Sequence, residues 1–258
     1  MTYIESVILG IIQGITEFIP VSSSGHLLLA HNALGTNGGT LSFDVALHVG
    51  TLLALLLFFR SDVYSLAKNI FSKSSQGSLA RLLVAATIPA GMAGLVFSSF
   101  IEDNLRSNIV VAASLASVGL LMLAAERFQT RSDGEEEDIT IPQGMRIGFA
   151  QVLALIPGVS RSGITITAGF FSGLTRLQAA RFSFLLAIPI IAGSAIGILA
   201  KGDLESSANG PLLAGIAAAF ISGLIAIKFM LHVIAKVGLK PFAYYRIALA
   251  IIVLVFFV

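Results

Sequence analysis

The sequence predicts an all-α, polytopic membrane protein, and three observations carry this prediction. Of the 258 residues, 56% are hydrophobic and only 12% are charged, with a mean hydropathy of +0.92. Apolar runs of about twenty residues, the length needed to cross the bilayer core, recur along the chain. A polar segment broken by proline and glycine occurs twice, around Glu17 and around Arg161. Broken backbone is tolerated in a membrane only where it is buried in protein or lines a cavity, so both segments are predicted to face the interior.

Composition also excludes several kinds of chemistry. The chain has no cysteine, which excludes disulfides, thiolate chemistry and cysteine-ligated metals. The net charge of +2 is attributed to basic cytoplasmic loops, and we expect no nucleic-acid partner. The first apolar stretch lacks a basic n-region and a small-residue cleavage site, so we do not expect it to be a cleaved signal peptide.

Six full-length membrane spans are predicted. They cover residues 41–59, 82–101, 109–125, 182–200 and 211–227, and the last one ends at residue 258. Three other apolar stretches, at 4–15, 143–156 and 164–174, are too short to cross alone and flank the two polar segments. We therefore predict two re-entrant helical hairpins in addition to the six spans.

The basic residues predict how the spans are oriented. If the first hairpin enters and leaves on the outer side, twelve of the sixteen Lys and Arg residues fall in cytoplasmic segments, as the positive-inside rule requires. The second hairpin then enters from the cytoplasm, which gives an inverted-topology repeat with a site near the membrane midplane. Within a single membrane domain, 1–258, we predict a first repeat at 1–126, a cytoplasmic linker at 127–142 and a second repeat at 143–258. The acidic run 135–138 is interpreted as solvated linker.

The first polar segment begins with Gln13 and Glu17. These residues are four apart and share one face of a helix. Their carboxylate and amide oxygens could hold Mg²⁺ or Ca²⁺, which take oxygen ligands. The alternative is a glutamate that pairs with a base or faces water. Acids inside a membrane are functional by default, so the functional interpretation is preferred.

The segment continues with Ser22, Ser23, Ser24, Gly25 and His26, which open the next short helix. Free N–H groups at a helix N-terminus bind anions, although one serine could simply cap the helix. Ser23 is a possible nucleophile, and His26 lies within a turn of it as a possible general acid or base. A structural histidine is the alternative.

In the second polar segment, Arg161 stands between Ser160 and Ser162, with Thr165 one turn later. A permanent cation inside the membrane needs a reason. The planar guanidinium fits phosphate oxygens, and the three hydroxyls are further donors. The alternative is that Arg161 only pairs with Glu17 across the repeat interface.

Outside the two segments, Asp44 and His48 lie four apart on one helix face. They could extend the site, but we interpret them as a polar pair near the end of a span. Arg246 lies near the start of the last helix and receives no role. The two segments together predict an anion site that favours phosphate, and its substrate would be a phospholipid or polyprenyl phosphate whose tail lies in lipid.

The two motifs, Gln13 to His26 and Pro157 to Thr165, resemble those of the bacterial undecaprenyl pyrophosphate phosphatase family, also called the bacitracin-resistance protein family. The resemblance covers essentially the whole chain. It implies a bacterial plasma (inner) membrane enzyme that removes the terminal phosphate of undecaprenyl diphosphate, with Mg²⁺ or Ca²⁺, at a site open to the extracytoplasmic side.

By motif, the resemblance implies four catalytic residues: Glu17, Ser23, His26 and Arg161. Around them it places Gln13, Ser160, Ser162 and Thr165, with Gln13 and Glu17 as the metal ligands. Many members have Glu at the position of Gln13, so this chain offers one carboxylate to a metal where they offer two.

The mechanism expected from these residues is in-line attack on the terminal phosphorus by Ser23 or by a water at its position. Arg161 would neutralise charge on the phosphoryl oxygens, His26 would move the proton, and Glu17 would hold the metal or orient His26. A lipid flippase or anion transporter can be built on the same inverted repeat and is the competing hypothesis. A monomer and a homodimer both remain open.

Overall fold

The structure is a computed structural model that describes residues 1–36, 41–129, 138–200 and 210–258. Eleven α-helices and one 3₁₀ turn make up nearly all of the described chain. They are α1 (Tyr3–Phe18), α2 (Ser23–Leu34), α3 (Leu41–Phe58), α4 (Arg60–Asn69), α5 (Ser75–Asn104), α6 (Asn108–Ala125), α7 (Ile141–Gln151), the 3₁₀ turn η1 (Val152–Leu155), α8 (Arg161–Phe171), α9 (Arg176–Ala200), α10 (Gly210–Val237) and α11 (Lys240–Phe256). The predicted all-α class is confirmed.

Four of these helices, α5, α6, α9 and α10, are long and apolar enough to cross a membrane by length and composition. Helices α3 and α4 meet at an angle of 79° and make a fifth span if they are taken together. The last predicted span corresponds to α11, whose 17 residues lie at the short end of the lengths that cross a bilayer. The prediction of a polytopic membrane protein is confirmed, and the count of six spans stays a prediction.

The two short helix pairs, α1 with α2 and α7 with α8, are broken at matching points. Ile19 and Ile156 both have extended backbone and both precede a proline. A proline disfavours helical backbone in the residue before it, so α1 ends at this point in the first pair, and the 3₁₀ turn η1 that follows α7 ends at it in the second. The chain then turns and enters α2 or α8.

Glycines set how closely the first helix of each pair packs. A Cβ at Gly14 of α1 would lie 2.5 Å from the carbonyl oxygen of Ala219 on α10. A Cβ at Gly148 of α7 would lie 2.7 Å from Cα of Ala86 on α5. Small residues let helix backbones approach at membrane helix interfaces, so α1 is held against α10 and α7 against α5.

This packing is reciprocal between the two parts of the chain. Helix α1 lies on α10 from the C-terminal part of the chain, and α7 lies on α5 from the N-terminal part. In the same way α3 contacts α9, and α6 contacts α11. The pattern supports the predicted pair of repeats, whose boundaries stay a prediction. Residues 130–137 of the predicted linker lie outside the described residues.

Candidate active site

Glu17, in the last turn of α1, is the centre of the site. Its side chain is buried, with 7% of the residue exposed. Gln13, one turn earlier on the same face, donates from Nε2 to Glu17 Oε2 at 3.2 Å. The two residues therefore share one face of α1, as predicted, and the amide donates to the carboxylate.

The serine-rich turn divides its residues between capping and the site. Ser22 has a positive φ of 77° and caps α2, its Oγ accepting from the backbone N–H of Gly25 at 3.3 Å. Ser23 instead donates from Oγ to Glu17 Oε2 at 2.7 Å. Capping, the alternative considered for these serines, is thus present in Ser22, while Ser23 points at the carboxylate.

The second polar segment repeats this geometry, but an arginine follows the capping serine. Ser160 has a φ of 73° and caps α8 by accepting from Gly163 N–H at 3.1 Å. The next residue, Arg161, donates from Nη2 to Glu17 Oε1 at 2.9 Å and from Nη1 to the carbonyl of Ser183 at 3.0 Å. The structure thus contains the Arg161–Glu17 ion pair that was considered as an alternative.

The other hydroxyls of the second segment donate within the protein. Ser162 donates to the backbone carbonyl of Glu17 at 3.1 Å, and Thr165 to the carbonyl of Arg161 at 2.7 Å. Ser24 of the first segment accepts from Gly158 N–H of the second at 3.4 Å. Ser162 and Ser24 thus link the two segments, while Thr165 bonds within its own helix.

His26 is held away from Glu17. Its Nδ1 lies 2.8 Å from the carbonyl of Ser22, and its Nε2 lies 2.7 Å from the hydroxyl of Tyr245 on α11, whose ring stacks on the imidazole. Because a carbonyl only accepts, Nδ1 carries the proton, and in the neutral ring Nε2 accepts from Tyr245. Glu17 therefore bonds Ser23 in this structure, where the sequence had suggested that it could orient His26.

His48 is a site residue that sequence reasoning missed. Its Nε2 lies 3.5 Å from Glu17 Oε2, while its Nδ1 contacts the carbonyl of Asp44 at 2.8 Å. The side chain of Asp44 turns to His31 instead, at 2.9 Å. The side chains of the two residues interpreted as a polar pair therefore have different partners. His48 enters the site because α3 packs beside α1, a tertiary contact that the sequence does not reveal.

Arg246 is the second missed residue. It is fully buried, and among the described residues its guanidinium donates to five backbone carbonyls and to no carboxylate. The acceptors lie in the first segment, the second segment and α6: Pro20, Gly158, Val159, Ser114 and Leu115, at 2.8 to 3.3 Å. An arginine with only backbone partners leaves no charge-pair signal in a sequence.

A cavity of about 190 Å³ lies beside these groups. Glu17, His48, Gln151, Arg161 and Ser194 form its polar wall, and aliphatic side chains of α3, α5, α9 and the 3₁₀ turn form the rest. A small polar wall in an apolar cavity is typical of a ligand site. Another cavity, of about 200 Å³ and next to the Arg181–Asp62 ion pair, includes no residue of either polar segment.

The predicted metal ligands are Glu17 and Gln13. Gln13 Oε1 is buried and accepts no hydrogen bond from the described residues, so it is available as a neutral ligand. The described chain has no cluster of three or more His, Asp and Glu side chains that could hold an ion by itself. Mg²⁺ is often bound by one or two carboxylates plus substrate phosphates and water. The two residues therefore fit a cation bound jointly with a phosphate ligand.

Comparison with known proteins identifies the family. The family model described as "Bacitracin resistance protein BacA" matches residues 6–252. The chain belongs to this family. The family match spans both polar segments and every residue of the site described above, which is consistent with the resemblance found in the two motifs.

Three curated relatives, each named "Undecaprenyl-diphosphatase", are similar over nearly their full length. The protein of Alteromonas mediterranea is 46% identical, with 99% of both chains covered. That of Rubrobacter xylanophilus is 44% identical, with 97% of this chain and 96% of the relative covered. That of Aliivibrio salmonicida is 45% identical, with 96% of both covered.

Proposed function

We propose that this chain is a membrane-embedded undecaprenyl-diphosphatase. It hydrolyses undecaprenyl diphosphate to undecaprenyl phosphate and inorganic phosphate, which regenerates the lipid carrier for peptidoglycan synthesis and confers bacitracin resistance. The observation that carries this proposal is the convergence of Ser23 and Arg161, from segments 138 residues apart, on the two oxygens of Glu17. The names of the relatives support the same activity.

The cavity suits a substrate that is part lipid and part anion. Its polar wall would take the diphosphate, and its aliphatic wall would take the first carbons of the isoprenoid chain, whose remainder lies in the bilayer. Because the isoprenoid carbons come from lipid and not from water, their burial adds little driving force, and the aliphatic wall serves mainly to fit the chain. The charged wall then selects lipids with a phosphorylated head.

Ser23 is the proposed nucleophile, or it positions the water that attacks. Its hydroxyl donates to Glu17, so the carboxylate is placed to accept the Ser23 proton as the oxygen approaches phosphorus. A base within hydrogen-bond reach of the nucleophile is the geometry that nucleophilic catalysis requires. Glu17 in this role bonds directly to the attacking group.

Arg161 would exchange part of its bond to Glu17 for the phosphate. Its Nε–H has no partner among the described residues, so the guanidinium can donate to an oxyanion in addition to its present acceptors. Phosphoryl transfer is catalysed mainly by positioning and by stabilising charge on the equatorial oxygens. The ion pair with Glu17 is therefore proposed as the resting arrangement of the site.

A divalent cation is proposed to join the substrate at Glu17 and Gln13. When bound, Mg²⁺ or Ca²⁺ would supply Lewis-acid stabilisation of the phosphate charge. The protein contributes the buried carboxylate and the free amide oxygen of Gln13. We further propose that the protein lies in the bacterial inner membrane and that its site opens to the extracytoplasmic side.

Phosphate release from undecaprenyl diphosphate by the detergent-purified protein tests the function. We expect release that stops with a chelator, returns with Mg²⁺ or Ca²⁺, and falls at least a hundredfold in Glu17→Ala, Ser23→Ala and Arg161→Ala. Thr87→Val is the control, because Thr87 lies on α5 outside this cavity and its hydroxyl donates to the carbonyl of Leu83 in its own helix. A folded wild type that releases no phosphate with any divalent cation would rule out the enzyme and favour the transporter.

A lipid flippase or anion transporter is the alternative function. It would use Arg161 and the helix N-termini but has no need for a hydroxyl bonded to a carboxylate. The Ser23–Glu17 hydrogen bond therefore favours the phosphatase. Movement of a fluorescent polyprenyl phosphate across proteoliposomes by Ser23→Ala at the wild-type rate would point to the transporter.

A further inference from the structure

Gln151, at the end of α7, is a buried amide that nothing in the described chain satisfies. Only 2% of the residue is exposed, and neither Nε2 nor Oε1 has a hydrogen-bond partner among the described residues. Buried polar groups in proteins are nearly always paired, since an unpaired one costs free energy, and each exception needs an explanation. An amide kept free inside a membrane protein is therefore a candidate ligand group.

The repeat explains why this amide is free. The offset of 138 residues that places Ser22 on Ser160 also places Gln13 on Gln151. In the first segment Gln13 donates to Glu17, but the position that matches Glu17 in the second segment is Leu155. Gln151 thus occupies the position in the second segment that matches Gln13, but no carboxylate stands at the position that would accept its Nε2–H.

The free amide belongs to the cavity of the site. Gln151 lines it together with Glu17, Arg161 and His48. Leu155, which replaces the carboxylate, lines it too. The second segment therefore contributes a cation and a neutral donor to a space where the first contributes the carboxylate.

We propose that Gln151 binds the diphosphate head of the substrate, with Nε2 donating to a phosphate oxygen. An amide donor suits this place because the guanidinium of Arg161 already balances the charge of Glu17, so a second cation beside the phosphate would be unpaired whenever the site is empty. Gln151 adds a hydrogen bond to an anion without adding a buried charge. This inference rests on the proposed function, because the ligand is the substrate named there.

The experiment compares Gln151→Leu and Gln151→Glu with the wild type and with Thr87→Val, a control on α5 outside the cavity, all as full-length protein in detergent. Leucine keeps the volume and removes both polar atoms, while glutamate keeps the size and replaces the donor by an acceptor that phosphate repels. One hydrogen bond to a charged group corresponds to roughly a tenfold to hundredfold change in an equilibrium or rate constant. We expect kcat/KM to fall by about that factor in Gln151→Leu, with a larger loss in Gln151→Glu and none in Thr87→Val.

A second readout does not depend on turnover. Undecaprenyl phosphate, the product, should raise the Tm of the wild type and of Thr87→Val, and should raise that of Gln151→Leu much less at the same concentration. Without lipid, Gln151→Leu should be at least as stable as the wild type, because it removes an unpaired buried amide.

The two readouts separate the two proposals. If the wild type binds the lipid but releases no phosphate, the proposed function fails, and the lipid-induced Tm shift still decides the role of Gln151. A Gln151→Leu protein with the kcat/KM and the lipid-induced shift of the wild type would overturn this inference, as would a wild type with no shift at all. If Gln151→Leu does not fold, Gln151→Glu answers the same question.

Discussion

At the scale of single residues, one local geometry used twice explains how the site is assembled. Ser22 and Ser160 both cap a short helix from a positive φ, a conformation that costs about 1–3 kcal/mol in a non-glycine residue. In both cases the following residue, Ser23 or Arg161, bonds Glu17. The strained cap therefore directs a hydroxyl in one segment and a cation in the other at the same carboxylate.

His48 contributes to this constellation from a third element. Its Nδ1 contacts a backbone carbonyl, so in the neutral ring Nε2 is an acceptor that faces Glu17. A protonated ring would donate to the carboxylate instead. The imidazole therefore lies next to the carboxylate that we propose as the base for Ser23.

We expect His48→Ala to lower kcat/KM by at least about tenfold, since general acid–base groups contribute roughly 10²–10⁴-fold. Phosphate release from undecaprenyl diphosphate, measured across a range of pH, would test it. His232→Ala, which removes an exposed histidine of α10, is the control. A His48→Ala enzyme within twofold of the wild type at every pH would show that the site does not use this side chain.

At the scale of helices, the sequence predicts the short broken pairs well. The Pro and Gly positions and the four-residue spacing of Gln13 and Glu17 follow from local pattern. The pairing of Arg161 with Glu17, which the sequence offered only as the alternative to a phosphate ligand, follows from the cost of a charge in lipid. The acceptors of Arg246 are backbone carbonyls from three distant segments, and no residue type encodes them. The sequence likewise cannot reveal that Gln151 lacks a partner, because that depends on every neighbour.

The fit of α1 on α10 gives a prediction at the same scale. Gly14→Ala should lower the Tm by several degrees, because its Cβ would meet the backbone of α10 around Ala219 and overpacking typically costs about 1–3 kcal/mol. Activity should fall as well, since α1 carries Gln13 and Glu17. The measurement is thermal unfolding in detergent together with phosphate release.

Gly91→Ala on α5 is the matched control for Gly14→Ala. A Cβ at Gly91 meets nothing within 4 Å, and alanine favours a helix over glycine by about 1 kcal/mol. We therefore expect Gly91→Ala to be neutral or slightly stabilising. Equal Tm values for the two variants would mean that close packing of α1 on α10 does not stabilise the protein.

At the scale of the whole molecule, the orientation of the protein in the membrane determines whether the lipid head reaches the site from the cytoplasmic or the extracytoplasmic side. The chain has no cysteine, so a single introduced one reports its own location. In intact cells we expect a membrane-impermeant maleimide to label Arg106→Cys, before α6, and to spare Lys73→Cys, between α4 and α5, until the cells are opened. The positive-inside rule gives this direction, and the reverse labelling would turn the proposed orientation over.

The two parts of the molecule meet at Arg246, whose guanidinium joins the turn at Pro20 to the turn at Gly158 and Val159. The guanidinium is buried and has no carboxylate partner among the described residues, so the surrounding carbonyl dipoles stabilise its positive charge. Those carbonyls in turn have few other donors, because both turns are broken backbone. The arginine and the two turns are therefore stable only together, which makes Arg246 a positioning residue for the site.

Lysine at position 246 keeps the charge but loses the planar fork, so it cannot reach all of these acceptors. We expect Arg246→Lys to lower both the Tm and kcat, although Arg246 does not line the cavity, while Arg146→Lys, an exposed change on α7, should alter neither. Each buried carbonyl left unpaired costs about 1–3 kcal/mol, so the loss of stability should be measurable in detergent. Arg246→Lys with wild-type Tm and kcat would show that the two turns hold their positions without the guanidinium. A loss of kcat at temperatures far below the Tm would show that the guanidinium sets the geometry between Ser23 and Arg161.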